Sequence, residues 1–282
     1  MTAVAIVLAI GFGIFWIYRN EARPFWEVAR IGGSPRIGST RISDKGKLTL
    51  GQWLETDGDS RARIEVGNIG QVEIDPNTRV RLLQTTATEH RLELARGRMS
   101  ARIWAPPRLF FVDTPSGVAA DLGCAYTLQV DDAGGSLLRV TSGWVALQLR
   151  DRESMVPAGA ACATRVGVGP GTPYFEDASE SFRAALTKLD FETKATDSKT
   201  GALDVLLSES RVRDTLTLWH LLARLDAKDR SRVYDRMVEL VPPPSGVTRD
   251  GVLQLNEQML QTWKDSLEKS WSGYSLRALI TN

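Results

Sequence analysis

Apolar and polar residues alternate with a period of two from Leu48 to about Thr164, in short runs such as "ARIEV", "QVEI", "RVRL" and "RLEL". Gly, Asn, Asp or Pro interrupts the runs roughly every ten residues, which is typical of half-buried strands joined by turns. Residues 47–165 are therefore predicted to form an all-β domain. Glycine-led runs at Gly70, Gly97 and Gly143 suggest stacked strands, arranged either as a solenoid-like pile or as a sandwich.

The period becomes helical after a segment rich in glycine and proline. Residues 166–175 are predicted to be a linker, and residues 176–282 an α-helical tail. The runs "SFRAALTKL", "TLTLWHLLARL" and "AKDRSRVYDRMVELV" each place apolar residues on one helix face, and "PPP" at 242–244 must end the third helix. A last helix is predicted within "GVLQLNEQMLQTWKDSLEKSW". The apolar stripes of these helices require a surface to pack against.

The start of the chain contains a long uncharged segment. Residues 2–18 hold no charged side chain, and as a helix they span roughly 25 Å, slightly less than the hydrocarbon core of a bilayer. Trp16 and Tyr18 are residue types that favour the lipid–water interface. A cleaved signal peptide is the rival interpretation, but it would need a basic start and a small-residue cleavage site, which "WIYRNEAR" lacks. We therefore predict a transmembrane anchor at 2–18, followed by a juxtamembrane linker at 19–46.

The composition and the motifs argue against several functional classes. The formal net charge of +1 gives no sign of the basic face that nucleic-acid binding requires. His90 is predicted to lie on the surface of a strand, and His220 is predicted to be a packing or capping residue on a helix. We find no metal-ligand spacing, nucleophile motif or phosphate loop. The sequence therefore predicts no catalytic, cofactor-binding or metal-binding residue, no small-molecule substrate, and no enzyme activity.

The stretch "FVDTPSGVAADLGCAYTL" resembles the FecR domain, which occurs in bacterial envelope proteins that regulate sigma factors. The resemblance continues through a Val-x-x-Gly-x-Val pattern at 140–145 and an Ala-Gly step at 158–159, and it extends over about Leu48 to Thr164. It rests on the motif residues Thr114, Pro115, Gly117, Leu122, Gly123, Tyr126, Gly143, Val145 and Gly159. The chain departs from the family pattern at Cys124, where the family has Thr, and in its helical tail. From turn chemistry and alternation, we expect these motif residues to be architectural.

The resemblance implies a single-pass protein of the bacterial inner membrane, with its body in the periplasm. Its function would be to relay a signal to a sigma factor, or to regulate one, through contacts with a sigma factor, an anti-sigma factor or an outer-membrane transducer. The positive-inside rule taken alone favours the opposite orientation, because Arg19, Arg23, Arg30 and Arg36 all follow the anchor. The alternative function is a structural or adhesive envelope module that binds a polymer or a protein.

Cys124 and Cys162 are the only cysteines in the chain. Segments about 40 residues apart can lie in adjacent layers of a stacked fold, and an oxidising periplasm would allow the two thiols to form a disulfide. The alternative is a pair of buried thiols that act as small apolar residues. The sequence leaves both interpretations open.

Overall fold

The computed structural model describes residues 25–192 and 196–272, which form a mainly β unit followed by helices. This agrees with the predicted class of a β domain with a helical C-terminal region. The strands are β1 (Phe25–Gly32), β2 (Arg36–Ile37), β3 (Thr40–Arg41), β4 (Lys45–Thr49), β5 (Trp53–Glu55), β6 (Arg61–Val66), β7 (Gly70–Ile74), β8 (Arg79–Thr85), β9 (His90–Ile103), β10 (Phe110–Thr114), β11 (Gly117–Asp121), β12 (Ala125–Val130), β13 (Ser136–Ser142), β14 (Trp144–Leu149), β15 (Arg152–Pro157), β16 (Ala160–Arg165), β17 (Gly169–Pro170) and β18 (Tyr174–Phe175).

The strands form two layers that share β9. Sheet A has the order β4-β1-β6-β7-β9-β12-β13-β16, with β17 and β18 paired to β16. Sheet B has the order β3-β2-β5-β8-β9-β10-β11-β14-β15. Among the described strands, β9 with β10 is the one parallel pair. Because β9 belongs to both layers, its geometry fixes how the two sheets meet.

A bend at Gly97 lets β9 pass from one sheet to the other. Its first half pairs with β8 and β10 in sheet B, and its second half pairs with β7 and β12 in sheet A. Gly97 has φ +91°, and a Cβ atom there would lie 2.3 Å from Thr78 Oγ1. The Thr78 hydroxyl accepts from the Arg98 N–H at 2.9 Å and lies 3.1 Å from the Arg98 carbonyl oxygen, so it satisfies the backbone beside the bend. Both the φ angle and the close approach require glycine.

The core lies between the two sheets. Trp26 of sheet A and Phe110 of sheet B meet with ring centroids 6.4 Å apart. Alternation along each strand supplies the other inward side chains, as the period-two pattern predicts. Fully buried members include Val28, Leu48, Ile64, Val72, Leu82, Leu92, Met99, Val112, Leu128 and Leu138. Removing this apolar surface from water provides the main favourable term in folding.

The C-terminal region contains six α-helices within the described residues: α1 (Glu180–Phe191), α2 (Thr196–Glu209), α3 (Thr215–Leu222), α4 (Ala227–Leu240), α5 (Arg249–Leu253) and α6 (Glu257–Ser272), with a 3₁₀ turn at Val212–Asp214 before α3. Ser179 caps α1 and Asp226 caps α4 through their side chains. The helix α4 ends directly before the three prolines, as predicted. The predicted last helix is instead divided into α5 and α6, and Leu255 between them has φ +58°.

The helices pack onto sheet B. The rings of Trp144 in β14 and Trp271 in α6 have their centroids 6.4 Å apart, and Trp271 also contacts Trp219 of α3. Buried apolar residues of the sandwich and of the helices form one continuous cluster. The apolar stripes predicted for the tail are therefore buried against the β unit and against one another.

Two segments predicted to be linkers contain strands. Most of the predicted linker at 19–46 holds β1, β2, β3 and the start of β4, so the β unit begins at Phe25 rather than at residue 47. The Gly- and Ser-rich composition reflects tight turns, with positive φ at Gly33 and Gly38, while Trp26 and Val28 are buried. The predicted linker at 166–175 holds β17 and β18, and Phe175 is fully buried.

The predicted transmembrane anchor at 2–18 lies outside the described residues. Among the residues that the structure does describe, none of the helices combines the length and the apolar character needed to cross a bilayer.

We expect Gly97→Ala to destabilise the chain strongly. Holding a residue that has a Cβ atom at positive φ costs about 1–2 kcal/mol. Forcing its methyl group into a packed site costs about 1–3 kcal/mol more. Gly38→Ala is the matched control, because Gly38 also has positive φ but has no atom within 4 Å of its Cβ position. Urea unfolding of residues 25–282, followed by tryptophan fluorescence, should show a clearly larger loss for Gly97→Ala. Equal losses would contradict the role of the bend.

Candidate functional site at the sheet crossings and the helical cap

The motif residues of the sequence analysis meet where the chain crosses between sheets. After β11 the chain leaves sheet B through Leu122–Cys124 and enters β12 of sheet A, and Gly143 brings it back from β13 to β14. A third crossing at Ala158–Gly159 connects β15 to β16. Leu122 N–H donates to the Trp144 carbonyl at 3.2 Å, and Ala158 N–H donates to the Gly143 carbonyl at 3.0 Å. The crossings are thus stacked and hydrogen-bonded to one another.

Glycine is required where two crossings touch. Gly143 has φ +70°, and a Cβ atom there would lie 2.1 Å from the Gly123 carbonyl oxygen and 3.0 Å from Cys124 Cα. Gly123 has φ +85° and Gly159 has φ +79°. The first of these contacts allows no side chain, so the Gly-x-Val pattern at 143–145 encodes a close backbone approach.

The hairpin at Thr114–Gly117 lies at the opposite end of the same strands. Thr114 Oγ1 donates to the Gly117 carbonyl at 2.8 Å, and Pro115 is exposed in the turn. Ser116 is buried and bonds the hydroxyls of Ser136, which begins β13, and Thr164, which lies near the end of β16. This hydroxyl cluster has no local signal in the sequence, because its other members are 20 and 48 residues away from Ser116.

A buried carboxylate occupies the first crossing. Asp121 is 1% exposed, and it accepts from the Gly123 N–H at 2.7 Å and from the Cys124 thiol at 2.6 Å. Burial raises the pKa of Asp121 to about 6, although these hydrogen bonds partly offset the rise. Burial and the Asp121 carboxylate also raise the pKa of the Cys124 thiol. Cys124 is therefore a hydrogen-bond donor that shapes the bend, and its chemistry does not suit a nucleophile.

The two cysteines do not form a bridge. Both are free and buried, and the Cys162 thiol bonds the Gly171 carbonyl at 3.1 Å. Leu128 pairs with Leu138, and Leu138 pairs with Cys162, so Cys162 lies two strands away from β12. Since Cys124 lies four residues before Leu128, the two Cα atoms are about 16 Å apart, far beyond the roughly 7 Å limit for a disulfide. Of the two interpretations that the sequence leaves open, the disulfide is therefore contradicted, and the pair of buried thiols is what the structure shows.

The two histidines are both buried. The prediction of a surface position for His90 is wrong, because His90 begins β9 and its Nδ1 lies 3.2 Å from Thr85 Oγ1, which accepts from the Trp26 indole N–H. Its charged neighbours, Glu89 and Arg91, concealed this in the sequence. His220 packs as predicted: its Nδ1 lies 2.9 Å from the Leu216 carbonyl oxygen.

His220 and Arg224 together cover the open edge of sheet B. The edge strand β15 pairs with β14 on one side only within that sheet. On its other side, the Met155 N–H donates to His220 Nε2 at 3.1 Å, and Arg224 donates to the Glu153 carbonyl at 3.0 Å. Burial, reinforced by the Arg224 charge, lowers the pKa of His220 to about 3, so the ring is neutral and can accept this hydrogen bond. Side chains from a helix thus take the place of a neighbouring strand.

A buried ion pair reinforces the same junction. Asp190 of α1 accepts from the Thr172 N–H at 2.6 Å and from Arg152 at 3.1 Å, and Arg224 lies 3.7 Å away. Arg224 also donates to Ser154 Oγ at 2.7 Å. The Asp190 side chain is 5% exposed. Removing either charged side chain of this pair would therefore leave a buried charge without a counter-charge. The helices and the sandwich are therefore held as one body.

Among residues 25–192 and 196–272, no group of three or more His, Cys, Asp or Glu side chains is arranged to hold a metal ion. The residues of the crossings are used to stabilise the fold. A partner protein would therefore contact the exposed outer surfaces of the sheets and helices.

The free energy of unfolding should depend on pH through Asp121. The folded protein holds this proton more tightly than the unfolded chain, so stability should fall as pH rises from about 4 to about 6 and change no further through this group above that range. The difference between the usual pKa of 3.8 and about 6 corresponds to about 3 kcal/mol. Chemical unfolding at several pH values should show this slope, and Asp121→Asn should remove it. Asp132→Asn, in an exposed turn, is the control; an unchanged slope in Asp121→Asn would contradict the assignment.

Comparison with known proteins gives one family match, to the model described as FecR protein, over residues 52–146. Two crystal structures of a candidate anti-sigma factor from Parabacteroides distasonis, at 1.65 and 2.50 Å resolution, are similar to the chain with 15% identity and a TM-score of 0.39. They cover 55% of this chain, and 74% and 73% of their own chains respectively. A search of curated proteins gave no match.

The matched region runs from the start of β5 into β14 and contains the first two sheet crossings together with the bend of β9. The structural role of Gly123 and Gly143 agrees with the motif that carried the resemblance. The chain therefore carries a FecR domain at residues 52–146.

Proposed function

We propose that the chain is a bacterial envelope protein that regulates a sigma factor, or relays a signal to one, through protein contacts and without catalysis. The observation that carries this proposal is the FecR domain at residues 52–146. Its partner is a sigma factor, an anti-sigma factor or an outer-membrane transducer. The body lies in the periplasm, and the chain is anchored in the inner membrane by residues 2–18.

The structure supports a contact function in two ways. The motif residues that define the crossings are used internally, since Leu122, Tyr126 and Val145 are at most 3% exposed. The helices are tied to the sandwich by the Asp190–Arg152 pair and by the cap on β15. A rigid body of this kind presents its sheet faces and helices to a partner in a fixed relative orientation.

The partner can be identified by crosslinking in living cells. A photoreactive amino acid should be placed at Arg102, which is exposed on sheet A, and separately at Val212, which is 48% exposed in the helical region. We expect mass spectrometry of at least one crosslinked product to identify a sigma factor, an anti-sigma factor or an outer-membrane transducer. Leu128, which is fully buried, is the control position and should give no product. Capture of only envelope polymer or structural proteins from both positions would favour the adhesive alternative.

The orientation can be measured with reporter fusions. Alkaline phosphatase fused after Asn282 should be active in a Gram-negative host, because this enzyme needs disulfides that form in the periplasm. A reporter that works only in the cytoplasm should be inactive at the same position. The reverse pattern would place the body in the cytoplasm, as the distribution of arginines alone suggests.

A further inference from the structure

One end of the sandwich carries turns with few charged residues. The segments 49–52 (TLGQ), 66–70 (VGNIG), 86–88 (TAT) and 104–107 (WAPP) contain no Asp, Glu, Lys or Arg. We call these four segments the uncharged rim. The turns that hold the third and fourth segments continue into Glu89 and Arg108, so this end of the sandwich carries few charged residues in its turns rather than none.

Strand register places the rim segments together. Phe25 pairs with Thr49, so the start of β1 lies beside the 49–52 turn. Val66 pairs with Gly70, and Gly70 pairs with Ile103, which brings the second and fourth segments to the same end. The Trp104 N–H donates to the Ile69 carbonyl at 2.9 Å.

The third segment belongs to the same end through the core. Thr85, which precedes it, accepts from the Trp26 indole N–H at 3.1 Å. His90 begins the next strand, and its ring centroid lies 6.1 Å from that of Trp26. Since Trp26 is the second residue of β1, the 86–88 turn lies close to the start of that strand.

The rim also exposes large apolar side chains. Trp104 is 62% exposed and Leu50 is 54% exposed. They are separated across sheet A by the four strand spacings from β4 to β9, which amount to about 19 Å. Tryptophan with its indole N–H suits an environment that is apolar on one side and wet on the other.

The turns at the opposite end of the sandwich are rich in charged residues. Its turns include "DGDS" at 57–60, "DDAGG" at 131–135 and "RD" at 150–151. Val166 is 53% exposed there, next to Arg165. Exposed apolar area alone therefore does not distinguish the two ends, whereas the smaller number of charged residues in the turns of the rim end does.

The chain arrives at the uncharged rim from its N-terminal side. Phe25 is the first strand residue, and only residues 19–24 separate it from the uncharged segment 2–18. Six residues span at most about 20 Å. Lys47 lies beside this point, with its ammonium group 4.5 Å from the Phe25 ring centroid, and a cation in that position is favoured near an anionic membrane surface.

We propose that the uncharged rim rests in the headgroup region of the membrane, with Trp104 and Leu50 inserted at the lipid–water boundary. The proposal rests on the anchor at 2–18 in the proposed function. The sandwich then stands on the bilayer with its charged end directed away from it. The helices and the outer face of sheet A remain available to protein partners, since the rim uses neither.

Lipid crosslinking in the full chain tests this contact. A diazirine amino acid should replace Trp104, Leu50 or, as the matched control at the charged end, Val166, and the chain should be irradiated in its native membrane. We expect phospholipid adducts by mass spectrometry at 104 and 50, several-fold above those at 166. All three positions are exposed, so the substitutions leave the core intact.

The possible outcomes separate this proposal from the function. Equal adducts at 104 and 166, no lipid adduct, or only a protein adduct at 104 would overturn the membrane contact even if the chain remains in the membrane after an alkaline carbonate wash. Release of the chain by that wash would overturn the anchor and this proposal together. Identification of the sigma-related partner at Arg102 or Val212 is a separate readout, so it distinguishes failure of the rim contact from failure of the regulatory function.

Discussion

The geometry of β9 at Gly97 is the constraint on which the two-layer structure depends. A single strand supplies the centre of both sheets, so each sheet can form only if this strand turns sharply without losing its hydrogen bonds. Glycine permits the backbone angle, and the Thr78 hydroxyl replaces the ladder beside it. The parallel pairing of β10 with β9 follows, because the chain returns across the end of the sandwich and enters sheet B alongside the first half of the bent strand.

At the later crossings the chain passes from one sheet to the other through a short turn instead of a long bent strand. At Gly143 the two passes of backbone come so close that a single methyl group would not fit, and at Asp121 a buried carboxylate holds the turn through the Gly123 N–H and the Cys124 thiol. Burying that carboxylate costs desolvation free energy. The cost is offset because its oxygens accept hydrogen bonds from donors that the bend leaves without other partners. The Cys124 thiol is the side-chain donor at this position.

The periodicity of the sequence was sufficient to predict the strands from Leu48 onward, the amphipathic helices α1 and α4, and the structural nature of the motif glycines. It was insufficient at β1–β3, where short strands between tight turns have the composition of a linker. His90 was misplaced because its neighbours are charged, and local polarity does not show what the tertiary fold brings over a strand. The pairing of Cys124 with Cys162 stays open in the sequence because spacing along the chain does not determine which strands lie between two residues. The junction of Asp190 with Arg152 joins residues 38 positions apart and has no local signal.

The helical cap on β15 also affects the order of events during synthesis. Met155 leaves the ribosome 65 residues before His220, the side chain that satisfies its outward N–H. At roughly 5–20 residues per second, this edge stays uncovered for several seconds or longer. During that interval an exposed strand can pair with any other extended chain, its own sister copies included. During synthesis, the edge strand β15 therefore needs protection from pairing until the C-terminal helices have been made.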